Sequence, residues 1–140
     1  MRPFAMAFVA IALAQPGSPL SGNWTADFHG TIYVRLALED GTAGTQGAMS
    51  IGQSIHVDEQ GNVDNATPAS PTLGRMLHVQ WNNEVLSFAV GDGDDADKFE
   101  LRLMDTNHAE LTLIISEDQR QELAAEHIPL PRPFRLTRAR

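Results

Sequence analysis

The chain contains no cysteine, so disulfide staples, thiolate nucleophiles and thiolate zinc sites are excluded and packing alone must hold the fold. Basic residues are few: ten Lys plus Arg face 18 Asp plus Glu, for a formal net charge of −8. Nucleic acid and anionic lipid surfaces are therefore not expected partners. Local catalytic signatures are missing too. GAMSIG around Ser50 misses the Gly-x-Ser-x-Gly spacing by one position, and there is neither a P-loop nor a dinucleotide glycine pattern. An enzyme is disfavoured on that ground.

The one long apolar run, Met1 to Ala14 (MRPFAMAFVAIALA), is shorter than the ~20 residues a membrane span requires. One Arg precedes it and a small-x-small triplet, Ala12-Leu13-Ala14, closes it, so it reads as a cleavable signal peptide, residues 1–14. Export without cysteine fits a bacterial periplasmic or secreted protein with no stable membrane insertion after cleavage. Residues 15–21 read as a short linker, and residues 22–140 suffice for a single domain with its own core.

Apolar residues in that domain recur at every second position, which is the period of a half-buried strand. Ile32, Val34, Leu36 and Leu38 alternate with Thr31, Tyr33, Arg35 and Ala37; Phe99, Leu101 and Leu103 form a second such face, and Ala109, Leu111, Leu113 and Ile115 a third. Leu77, Val79 and Trp81 make a strand joined through Asn82-Asn83 to the next, Leu86, Phe88 and Val90, since such pairs favour tight hairpins. Met49 to Val57 reads as one strand with a bulge or sharp bend at Gly52. Trp24, Ala26 and Phe28 share a face at the start, and Phe134, Leu136 and Arg138 share one at the end.

Eight short strands joined mostly by Gly, Asn and Asp turns predict an all-β fold, a single antiparallel up-and-down barrel without free edges. A two-sheet sandwich is the alternative, but it needs several long crossings, and only one long loop is visible. One short helix precedes the last strand. Ser116 with Gln119 forms a capping box, Glu117 and Asp118 suit the helix N-terminus, and Pro129 and Pro131 follow its end. It is expected to plug or flank one end of the barrel.

Closure pairs the first strand with the last, making Trp24 and Arg138 neighbours, with the guanidinium lying across the indole and Gly22 permitting close backbone approach. Gly22, Trp24 and Arg138 stand in a Gly-x-Trp opening strand and an FRLTR closing strand. This pattern resembles the lipocalins and their wider calycin relatives, most closely the compact lipocalin-like barrels of bacterial secreted proteins, over residues 21–138. The resemblance implies a barrel-closing role for these three residues. The opening LSGNWTADF also looks like that of avidin-like proteins. That likeness implies further binding-site tryptophans, and none follows Trp81, so biotin binding is not expected.

Inward positions are nearly all bulky (Trp24, Phe28, Leu36, Trp81, Phe88, Phe99 and Phe134), which predicts a filled interior and moves any ligand site to loops at the open mouth. Candidate loops are Glu39 to Gly47, the long Asp58 to Gly74, and Gly91 to Asp97. The long one reads as either a lid or a surface segment. GDGDDADKFE departs from the calcium-loop pattern at Ala96 and Phe99, so a solvated turn is expected there. His29, His56, His78, His108 and His127 are widely spaced, and no metal or other cofactor is expected. Two functions remain. One is an exported non-enzymatic binding module for a small apolar or amphipathic ligand; the other is an interaction or inhibitor barrel that engages an exported protein partner through its loops.

Overall fold

The computed structural model describes residues 20–41 and 44–139; the segment read as a signal peptide lies outside them. Ten strands and one helix follow in order: β1 (Gly22–Phe28), β2 (Thr31–Gly41), β3 (Gly44–Ile51), β4 (Ile55–Val57), β5 (Val63–Ala66), β6 (Gly74–Asn82), β7 (Val85–Val90), β8 (Asp97–Asp105), β9 (His108–Ile114), α1 (Glu117–Ala125) and β10 (Phe134–Arg138). Eight of the strands close an antiparallel barrel in the order β1-β10-β9-β8-β7-β6-β3-β2, and β4 pairs with β5 in a separate ribbon. The all-β barrel expected from the alternation is therefore present. Its up-and-down order is compatible with a lipocalin-like fold.

The interior is one apolar cluster. Trp24, Val34, Leu36, Met49, Leu86, Leu101, Leu111 and Leu136 are fully buried within it, each worth roughly 1.5–3 kcal/mol of transfer from water. Phe88 and Phe99, opposite one another on β7 and β8, stack with centroids 5.7 Å apart. No polar or charged residue is buried among the described residues. A core of this kind fills a small barrel rather than lining a calyx.

The two ends of the barrel differ. At one end, the floor, β2–β3, β6–β7 and β8–β9 meet in tight turns, with register pairs Gly41↔Gly44, Asn82↔Val85 and Asp105↔His108. The β6–β7 turn is Asn83-Glu84, one residue later than expected, with Asn83 at φ 61, a conformation that asparagine tolerates. At the mouth, only the β1–β2 turn is tight, and three long connections cross it: residues 52–73, 91–96 and 115–133.

Several sequence expectations need correction. Met49 to Val57 is not one strand: β3 stops at Ile51, and Gly52 turns the chain off the barrel while its N–H donates to the Tyr33 carbonyl at 2.8 Å. A Cβ there would run into the Thr67 carbonyl, so only glycine allows this crossing. The loop expected from Asp58 to Gly74 contains β5, and with β4 it folds into a hairpin. Glu39 to Gly47 is mostly strand, belonging to β2 and β3. Trp81, expected inward, pairs with buried Leu86 and so keeps that parity, but next to the β6–β7 turn it is 42% exposed. A bulge between Leu77 and Gln80, with His78 at φ 53, breaks the alternation of β6, so that Met76 rather than Leu77 is buried. A second bulge, at Ala26/Asp27 opposite Val34/Ile32, buries the adjacent residues Tyr33 and Val34 together.

Candidate binding cleft at the barrel mouth

The most apolar concavity at the mouth is a cleft of about 700 Å³. Its base is the top layer of barrel side chains, Phe99, Leu113 and Phe134; one wall is Ile51 with the β4 residues Ile55 and Val57; the other is Leu123, Ile128, Pro129 and Pro131. Buried Phe99 and Phe134 separate the cleft from the filled interior. The site therefore sits on the barrel, not inside it.

Each wall is held by local chemistry. The tip of the β4–β5 hairpin is ordered by Asp58, whose Oδ1 accepts from the N–H groups of Gln60 and Asn62, both at 2.9 Å. That tip is tied across the mouth to the segment before β10. The N–H of Arg132 donates to the Gly61 carbonyl at 2.9 Å, and its Nε donates to the Gln60 carbonyl at 3.0 Å. The opposite wall starts at the capping box of α1, where Gln119 N–H donates to Ser116 Oγ and Ser116 N–H to Gln119 Oε1, both at 3.1 Å. The helix buries no residue completely, and half-buried Leu123 faces the cleft.

The helix ends in a Schellman arrangement: Ile128 N–H donates to the Leu123 carbonyl at 2.9 Å and His127 N–H to that of Ala124 at 3.1 Å. This turn sets Ile128 against Leu123 on the cleft wall. His127 occupies, at φ 59, a position that glycine usually takes. Polar groups at the rim are His127, His56, Gln53 and Asp97. His56 Nδ1 lies 2.5 Å from Asp64 Oδ1, which orients the ring and leaves Nε2 as the free nitrogen. The arrangement can hold an apolar body with a polar group at its edge.

Gly22, Trp24 and Arg138 come together at the opposite end. Trp24, 0% exposed, stands opposite Arg138 in the β1–β10 ladder, and the guanidinium carbon lies 4.3 Å from its ring centroid. Arg138 Nη1 donates to the Ser21 carbonyl at 2.5 Å and Nε to that of Thr106 at 2.9 Å, while Trp24 Nε1 donates to the Leu20 carbonyl at 2.9 Å. Leu20, in the stretch read as a linker, is 1% exposed and closes the floor. At Gly22, φ 125, an added Cβ would stand 2.9 Å from Arg138 Nη1.

The remaining candidates do not assemble. His29 stacks on Phe28 at the β1–β2 turn with centroids 4.1 Å apart, His78 lies in the β6 bulge, and His108 pairs with Asp105 at the floor. The acidic stretch is a turn around Gly93–Asp95, and the described residues hold no group of three or more metal-ligating side chains. The cleft walls escaped the sequence reading because their apolar residues are scattered over short segments that show no period. The available signal was Ile55 and Val57 beyond the bend at Gly52, Val63 inside the expected loop, and Ile128 beside two prolines. Comparison with protein-family models, curated proteins and solved structures found no match.

Proposed function

We propose that the chain is an exported, non-enzymatic barrel that binds a small apolar or amphipathic molecule at its mouth. The observation that carries this reading is the cleft of about 700 Å³ between β4 and the end of α1, apolar at base and walls and polar at one rim, a combination typical of small-molecule sites. A left-handed histidine on that rim supports it, because strain of this kind tends to accumulate where a side chain is needed. The leader-like segment Met1–Ala14 supports export, and the Gly22, Trp24 and Arg138 pattern supports a place among compact bacterial lipocalin-like barrels.

Titration with anilinonaphthalene sulfonate, an amphipathic fluorescent anion, tests the site, together with native mass spectrometry of the protein purified from its own host. Saturable binding of one probe per chain, weakened about tenfold or more by Leu123→Glu, is the expected result. Absence of saturation, or binding indifferent to that substitution, rules the cleft out. The ordered hairpin laced to Arg132 favours the second reading, an inhibitor or interaction barrel acting through its loops. A clean apo mass combined with no saturable probe binding would favour it.

A further inference from the structure

An acid occupies an inward-facing position at the barrel mouth. Asp97 precedes buried Phe99 by two residues on β8, so both belong to the face that points into the barrel, and Lys98 between them belongs to the outer face. Asp97 accordingly lines the mouth cleft together with Phe99, part of its base. Among the described residues it has no salt-bridge partner. His56 adds a second acceptor to the same cleft. Its Nδ1 bonds to Asp64 Oδ1 at 2.5 Å, which in the neutral ring places the proton on Nδ1 and leaves a lone pair on Nε2.

Asp97 and Leu123 also line a second concavity, of about 730 Å³, on the other flank of α1. Glu122 and Glu126 line it too, four residues apart and therefore neighbours on the helix surface. Both are exposed, and neither has a salt-bridge partner among the described residues. The last turn of α1 holds no basic residue. The negative end of the helix dipole thus carries two further negative charges, an arrangement that by itself disfavours the helix. Among the described residues, Lys98 is the only Lys or Arg that lines either concavity.

A positive charge held between Asp97 and the last turn of α1 relieves both features together: it pairs the inward carboxylate and offsets the crowded helix end. We infer that the mouth cleft selects an apolar amine, its hydrophobic body resting on Phe99, Leu113 and Phe134 and its ammonium lying between Asp97 and Glu126. This specificity rests on the mouth site proposed above and names its ligand class. A hydroxyl can still donate to Asp97 or to His56 Nε2. A carboxylate meets like charge and lone pairs, and the sulfonate of anilinonaphthalene sulfonate adds nothing to what its rings contribute.

Three compounds with one naphthalene body test the inference: naphthylmethylammonium, naphthylmethanol and naphthylacetate. Each is titrated calorimetrically into the protein at about pH 8, where the amine and the acid are both charged, and in about 0.15 M salt, which screens distant charges. Affinity is expected to fall in the order ammonium, alcohol, carboxylate, with about tenfold or more between first and last. Asp97→Asn and Glu126→Gln, both at exposed positions, should each shrink that ratio about threefold. Glu84→Gln removes the same charge from the β6–β7 turn at the floor and should leave the ratio unchanged.

Equal affinity for the three compounds, or tighter binding of the carboxylate, overturns the amine assignment and leaves the mouth site standing. Binding of none of them removes the mouth site as well. A ratio that falls as far with Glu84→Gln as with Asp97→Asn traces the preference to the net charge of the chain and likewise overturns the inference.

Discussion

The Arg138 guanidinium lies over the Trp24 indole, 4.3 Å from its centroid, and bonds to carbonyls on both sides of the barrel seam, those of Ser21 and Thr106. One side chain thus joins the start of β1, the end of β10 and the β8–β9 turn. Trp24→Ala should cost about 3–5 kcal/mol, because a fully buried indole is lost and a cavity remains. Arg138→Ala should cost about 1–3 kcal/mol through its charged hydrogen bonds. Chemical denaturation of both single variants and the double variant measures their coupling, expected at about 0.5 kcal/mol or more. Strict additivity would show that the ring and the guanidinium do not interact.

Tyr33 is the only tyrosine, so phenolate absorbance reports one site. Burial, with a smaller contribution from the Asp27 carboxylate, raises its pKa above the ordinary 10.0. A raised folded-state value means that the neutral ring stabilises the fold at pH below 10 and that this contribution is lost as pH rises through the folded pKa. Spectrophotometric titration should place the transition above that of a free tyrosine. Tyr33→Phe should remove the stability loss in that alkaline range, and a transition at or below 10 would contradict the buried setting.

At the floor, Asp105 accepts the Asn107 N–H at 2.8 Å and contacts His108 Nδ1 through both carboxylate oxygens at 2.8 and 3.0 Å. The backbone bond first, and the imidazole second, lower its pKa from 3.8. A lowered folded-state value means that the contribution is present above the unfolded pKa and is lost as pH falls through the folded one. Asp105→Asn should therefore lower the thermal midpoint at neutral pH, and the gap from the parent should close below about pH 4. A gap that stays constant down to pH 2 would mean the carboxylate charge is irrelevant to the turn.

His127→Gly should stabilise the protein by about 0.5–1 kcal/mol, since φ 59 costs a residue with a Cβ more than it costs glycine. The same variant should bind anilinonaphthalene sulfonate more weakly. Thermal melts and probe titration on one preparation check both signs. Stabilisation with unchanged affinity would detach the imidazole from the cleft's function.

Much of the barrel is legible in the sequence because most of its strands keep the two-residue alternation over their central residues. Trp24 and Arg138 could be paired from parity alone, since neither sits beyond a bulge. Trp81 keeps the inward parity of its partner Leu86 but stands exposed next to the β6–β7 turn; what could not be read is that Met76 rather than Leu77 faces in, because His78 in a left-handed conformation resets the alternation of β6 and histidine carries no sequence mark of that state. The crossing at Gly52 was visible as a bend, but its direction depends on Thr67, fifteen residues later. The mouth cleft was legible only as a location. Its walls come from a three-residue strand and a helix end, elements too short to show a period.

Both described ends of the chain, Leu20 beside Trp24 and Ala139 bonded through its N–H to the Asn23 carbonyl, emerge at the floor. The described backbone is therefore entered and left on the face opposite the three long connections. A barrel immobilised directly through Leu20 or Ala139 presents its mouth, and with it the cleft, away from the attachment.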